Sequence, residues 1–204
     1  MIEAINAVTD ALPYILKGTF VTAGIVFGAM LLGLAAGIPM AVGQVYGNRF
    51  TRAVVGLYVW FFRGVPVLVL LFLIYFGLFG MIEIKFRNEY GIDISFSPFI
   101  AACLVMGMVS SAYQSQIFRG AIQSIPQGQL KAANALGMGE GVAIKTIILP
   151  QALRLSIPAW SNEFSIVLKD SAVAFVLGTT EIMARTHFVA SRTYQHLPLY
   201  LFAG

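Results

Sequence analysis

Residues 127–150 read QGQLKAANALGMGEGVAIKTIILP. This polar, glycine-punctuated stretch stands between long apolar segments, and the function of the chain turns on what it builds. Residues 129–136 are rich in good helix formers. Gly137 can supply the left-handed residue that stops a helix. Gly139 and Gly141 loosen the following turn, and residues 142–149 read as a second helical piece ending where Pro150 opens a new apolar run. Upstream, Ser124 can cap a helix, and Pro126 is tolerated in a first helical turn. Two short helices joined at Gly137 make a compact knob able to sit in a socket on another protein. An amphipathic connector lying on a membrane surface fits the same pattern.

The composition places this knob in a membrane protein. Of 204 residues, 58% are hydrophobic and 11% charged, whereas a soluble domain is about a quarter charged. The single cysteine, Cys103, lies in an apolar run, which excludes a disulfide framework. No Cys or His pair has metal-ligand spacing. A net charge of +4 is too small for a nucleic-acid binder and fits the Lys/Arg excess of cytoplasmic loops. Acidic Glu3 and Asp10 occupy the place where a signal peptide carries its basic region.

A membrane-crossing helix needs about 20 apolar residues for roughly 30 Å of hydrocarbon. Four segments meet or approach this: residues 12–42; 53–82, interrupted at Arg63-Gly64-Val65-Pro66; 97–118; and 150–168. Residues 172–178 are too short to span and read as a re-entrant or interfacial piece. Residues 197–204 begin a further apolar run that cannot cross a bilayer, as expected of a truncated last span. Arg49 and Arg52 follow the first span; Arg119, Lys131, Lys145 and Arg154 surround the knob against one acid, Glu140. The positive-inside rule then puts residues 127–150 in the cytoplasm and the N-terminus outside. Gly24 and Gly28, then Gly33 and Gly37, have the four-residue spacing that lets helices approach closely, although glycine is common in membrane helices generally.

Charges inside a bilayer cost at least about 2.5–3.5 kcal/mol, which makes them functional candidates. Glu163 should lie near mid-depth, with Asp170 two turns further along the same helical face and Asn162 beside it. Such carboxylates suit the ammonium group of an amino acid, or a guanidinium. Asp170 could equally sit solvated at the outer interface. Arg63, at the break in the second span, could contact a substrate carboxylate, gate the path or snorkel to the surface. Gln114 and Gln116 read as interface residues. His187 and His196 could form a proton relay but read as parts of an aqueous loop, with Tyr194 and Tyr200 as interfacial anchors.

The sequence KAANALG followed by IILPQALR resembles the EAA loop of permease subunits of ATP-binding cassette importers, through Ala132, Ala133, Gly137, Leu149 and Pro150. Phe62-Arg63-Gly64-Val65-Pro66, residues 124–129 (SIPQGQ), residues 149–154 (LPQALR) and Leu168-Lys169-Asp170-Ser171 narrow the resemblance to polar amino-acid uptake permeases of the histidine, arginine and glutamine type. It runs from about residue 17 to residue 200. The resemblance implies an all-α polytopic bundle of five spans in the cell inner membrane. It also implies a second permease subunit, cytoplasmic P-loop ATPases that hold ATP and Mg, and an extracytoplasmic amino-acid-binding protein. Gln129, Lys131, Ala132, Ala133, Gly137, Leu149 and Pro150 would couple to the ATPase. The family's usual first glutamate is Lys131 here, so either the partner carries a compensating acid or the position is exposed and carries little weight.

The reading is thus one transmembrane permease domain over residues 1–204, with a coupling segment at 124–150, no enzymatic chemistry and no cofactor of its own. No G-x-x-x-x-G-K-[ST] sequence is present to cradle a phosphate. Two alternatives stand beside it: a secondary transporter driven by an ion gradient through Glu163 and Asp170, and a membrane hydrolase. The long knob and the lack of an internal repeat weigh against the first. The second has no Gly-x-Ser-x-Gly, and its only histidines fall in the polar tail.

Overall fold

The computed structural model describes residues 2–204, with side chains from residue 8 onward. Glu3 lies outside the described side chains. The described residues form helices and no strand: α1 (Ile2–Tyr46), α2 (Arg49–Gly64), α3 (Val67–Phe72), α4 (Gly80–Tyr90), α5 (Pro98–Gln123), α6 (Gly128–Ala135), α7 (Glu140–Ala143), α8 (Leu149–Asp170), α9 (Ile182–Thr193) and α10 (His196–Ala203). Wider π turns at Leu73–Phe79 and Ile144–Ile148 join α3 to α4 and α7 to α8, and a 3-10 segment, Ser171–Leu177, follows α8.

Among the described residues, four stretches are long and apolar enough to cross a membrane: Val8–Tyr46, Val67–Tyr90, Pro98–Gln123 and Glu140–Leu177. The fifth span implied by the resemblance is not among them, since α10 has eight residues and reaches only about 12 Å. The second expected span is two helices. Val65 is extended because it precedes a proline, and Pro66 caps α3 in turn. Pro150 does not begin a new element. The π turn at Ile144–Ile148 carries the helix straight into α8, and the widened turn gives the proline ring room where an α turn would bring it against the carbonyl four residues back. Ser124 is not a helix cap; its hydroxyl donates to the Ala121 carbonyl at 2.8 Å. The tail expected as an aqueous loop is helical, and Nδ1 of His187 lies 2.9 Å from the Tyr200 hydroxyl.

The chain divides into two compact units. The first comprises Met1–Ala29, Pro66–Met106 and Val167–Gly204. Its α9 begins at Glu181, whose buried carboxylate accepts the N–H groups of Met183 and Ala184, an N-cap at a helix end where anionic groups are favoured. Burial pushes this carboxyl above its ordinary range, and the two N–H donors pull it back. The Ile182 N–H donates to the Thr22 hydroxyl of α1 at 3.2 Å. Gly28 packs on Cys103, whose Sγ would lie 3.3 Å from an added Cβ.

The second unit comprises Met30–Val65 and Gly107–Ile166. Its apolar core joins Ala41 of α1, Phe118, Ala121 and Ile122 of α5, Ile125 beyond it, Ile148 at the end of the π turn and Ala152 in the first turn of α8. α2 is fastened to α5 by the Tyr58 hydroxyl, 3.0 Å from the Met108 carbonyl and 2.7 Å from the Ser111 hydroxyl. Gly33 and Gly37 hold α1 against α5. A Cβ on Gly33 would collide with the Gln114 amide, and one on Gly37 would lie 3.1 Å from Cβ of Gln114. The small-residue spacing read in the sequence is therefore a close helix–helix contact at these positions.

Candidate functional site

Two features of the second unit hold residues singled out in the sequence. The first is the segment around α6. Its C-terminus is a Schellman motif: the Gly137 N–H donates to the Asn134 carbonyl at 3.0 Å, and the Met138 N–H to the Ala133 carbonyl at 3.1 Å. Gly137 takes φ +83°, a conformation that a residue with a Cβ adopts only at a cost. α6 is tied to α8 by two reciprocal amide bonds between Gln129 and Gln151, at 3.0 and 2.6 Å. Ala133 is buried, whereas Lys131, Ala132, Gly137 and Pro150 are exposed and Leu149 is half-buried. Leu136, at the tip, is 84% exposed. Lys131, with Tyr46, Gln127, Leu130 and Asn134, lines a groove of about 520 Å³ between α6 and the ends of α1 and α5.

The second feature is a buried polar cluster joining α1, α5 and α8. Glu163 is 3% exposed and Gln114 not at all. Ser110 Oγ donates to Glu163 Oε1 at 3.0 Å. Gln114 Nε2 donates to Ser110 Oγ at 3.0 Å and to the Met30 carbonyl at 3.2 Å. Trp160 Nε1 donates to Gln114 Oε1 at 3.0 Å. Sequence reasoning placed Glu163 near mid-span but missed these partners and took Gln114 for an interface residue. The available signal was Ser110 and Gln114 four apart in a span free of charge, hence on one face of α5. Gln116 is half-buried and bonds Gln44 of α1 at 2.9 Å.

The other expected path residues differ in exposure. Asn162 is exposed on α8 beside buried Glu163. Arg63 is exposed at the end of α2, its guanidinium 4.8 Å from the centre of the Tyr113 ring, a cation–π contact. Asp170 closes α8 and is half-buried, within the first unit. Among the described residues, no group of three or more His, Cys, Asp or Glu side chains could hold a metal ion.

Comparison with known proteins gives this geometry its context. Residues 33–197 match the family described as binding-protein-dependent transport system inner membrane component. The chain is 31% identical to a nopaline transport system permease protein of Agrobacterium fabrum, covering 98% of this chain and 83% of that protein. It is 35% identical to a candidate glutamine transport system permease protein of Rickettsia prowazekii, over 90% of this chain and 79% of that one. Among solved structures, a chain of an amino acid ABC transporter crystallised with histidines superposes with a TM-score of 0.80 at 31% identity, covering 96% of this chain and 86% of the other. The match extends over four-fifths of the sequence and over the helical fold, so the chain belongs to the family of binding-protein-dependent transport system inner membrane components.

Proposed function

We propose that this permease serves an ATP-driven importer of polar amino acids. It pairs with a second permease subunit, takes substrate from an extracytoplasmic binding protein and couples to cytoplasmic P-loop ATPases through residues 124–150. ATP and Mg belong to the ATPase, and no covalent chemistry takes place on this chain. Closure of the ATPases moves α6, and the spans rock around a path to which Glu163, Asn162, Asp170 and Arg63 contribute. The amino-acid assignment draws on the relatives' named substrates and on Glu163, a carboxylate able to receive the ammonium every amino acid carries.

The observation that carries the coupling is the turned-out α6. Its inner face is anchored by Ala133 and by the Gln129–Gln151 bonds, while Lys131, Ala132, Leu136 and Gly137 face outward. A helix fixed on one side and free on the other transmits a push. This requires the segment to be cytoplasmic and the N-terminus to be outside. With Cys103 first replaced by serine, a membrane-impermeant thiol reagent added to intact cells is expected to label a cysteine at Asn88 and not one at Gly139. Both positions are exposed in the fold, and Asn88 stands two residues before the end of the Val67–Tyr90 stretch, so a cysteine at Asp93, beyond that stretch, separates shielding by lipid from the side of the membrane. Labelling at Gly139 and not at Asn88 would invert the topology and remove the coupling argument.

A further inference from the structure

The hydrogen bonds around Glu163 have a direction, and one residue sets it. An indole N–H can only donate. Trp160 Nε1 therefore fixes the Gln114 carbonyl oxygen towards itself, and the Gln114 amide nitrogen towards Ser110 and the Met30 carbonyl. This orientation follows from the donor inventory and removes the usual ambiguity of an amide flip. Ser110 Oγ, already accepting from Gln114, has a single proton to give, and of its two acceptors the Glu163 Oε1 at 3.0 Å is nearer and stronger than the Met30 Sδ at 3.8 Å. Every donor in the series thus points towards the carboxylate. Reversing the amide would set its NH₂ against the indole N–H, leaving two buried donors facing each other.

Resting on the reading of Glu163 as a path residue, the geometry points to Trp160, Gln114 and Ser110 as positioning residues that hold the Glu163 carboxylate as a hydrogen-bond acceptor for the ammonium or guanidinium of a bound amino acid. The three are drawn from α5 and α8 and pinned to α1 through the Met30 carbonyl and the close approach at Gly33. Ser110, 1% exposed, acts through Glu163 and has no need to touch substrate. Hydrogen bonds to charged groups are the stronger kind, so removing the last donor in the series should be visible in substrate affinity.

The test measures equilibrium binding of radiolabelled arginine, with glutamine as the neutral comparator, to the purified permease–ATPase complex without binding protein. Ser110→Ala is expected to weaken arginine binding roughly tenfold, more than it weakens glutamine binding. Ser110→Thr, which keeps the hydroxyl, should restore it to within about twofold, and Trp160→Phe should give an intermediate loss. In a Glu163→Gln background the effect of Ser110→Ala should shrink below about threefold, because interacting partners are not additive. Equal losses in both backgrounds would make Ser110 a packing residue and overturn the inference. So would a loss with Glu163→Gln and none with Ser110→Ala, leaving the reading of Glu163 intact. No effect of Glu163→Gln, or binding of neither amino acid in the wild type, would overturn that reading itself.

Discussion

Proteoliposomes carrying Gly137→Val are expected to lose at least about nine-tenths of their ATP-driven uptake while the permease still inserts and assembles. Gly137 sits at φ +83° with no atom within 4 Å of an added Cβ. The substitution therefore meets no steric neighbour, and its whole effect is on the backbone. Left-handed conformation costs an L-residue about 1–2 kcal/mol, and more when the side chain is β-branched. The chain can escape that cost only by opening the Schellman turn, which frees the carbonyls of Ala133 and Asn134 and lets the end of α6 fray. The damage stays within an exposed turn, away from the core around Phe118 and Ile122. Basal ATPase activity should persist, with uptake no longer following it. Uptake equal to wild type in vesicles with matched permease content would show that the turn at Gly137 plays no part in coupling.

Glu163→Gln is expected to have the second large effect. The variant keeps the shape and can still accept from Ser110, but it loses the charge and adds two donors to a place arranged for an acceptor. For a cationic amino acid the lost charge-assisted bond is worth about 1.5–3 kcal/mol, roughly ten- to a hundredfold in affinity. For a neutral amino acid only the ammonium contact weakens, and the loss is smaller. ATPase activity stimulated by the binding protein should persist, because α6 is untouched. Normal uptake kinetics at normal expression would make Glu163 a structural partner of Ser110 within the α5–α8 packing.

The parts of this architecture that were legible in advance are those set by local backbone chemistry. Gly137 ends α6 because a left-handed residue is needed there, and the break at Val65-Pro66 follows from proline geometry alone. The apolar runs marked the spans because hydrocarbon thickness fixes their length. What stayed hidden depends on long-range contact. Ser110 and Gln114 lie more than forty residues from Glu163 and Trp160, and no periodicity says which face of α5 meets α8. Pro150 misled for a related reason. A proline inside apolar sequence signals a boundary, yet α8 runs through Pro150 after a π turn and through Pro158 without one, and neither accommodation has a clear sequence mark. Glu181 gave no warning either. It is a buried helix cap, held in place by packing that no local pattern announces.

The most direct test is uptake by the permease reconstituted with its ATPase and binding protein, with the energy source varied. Amino-acid accumulation should require ATP inside, at the face of α6, and should be unaffected when proton and sodium gradients are collapsed. Accumulation driven by either gradient without ATP would contradict an ATP-coupled importer and return Glu163 and Asp170 to the role of ion-coupling carboxylates.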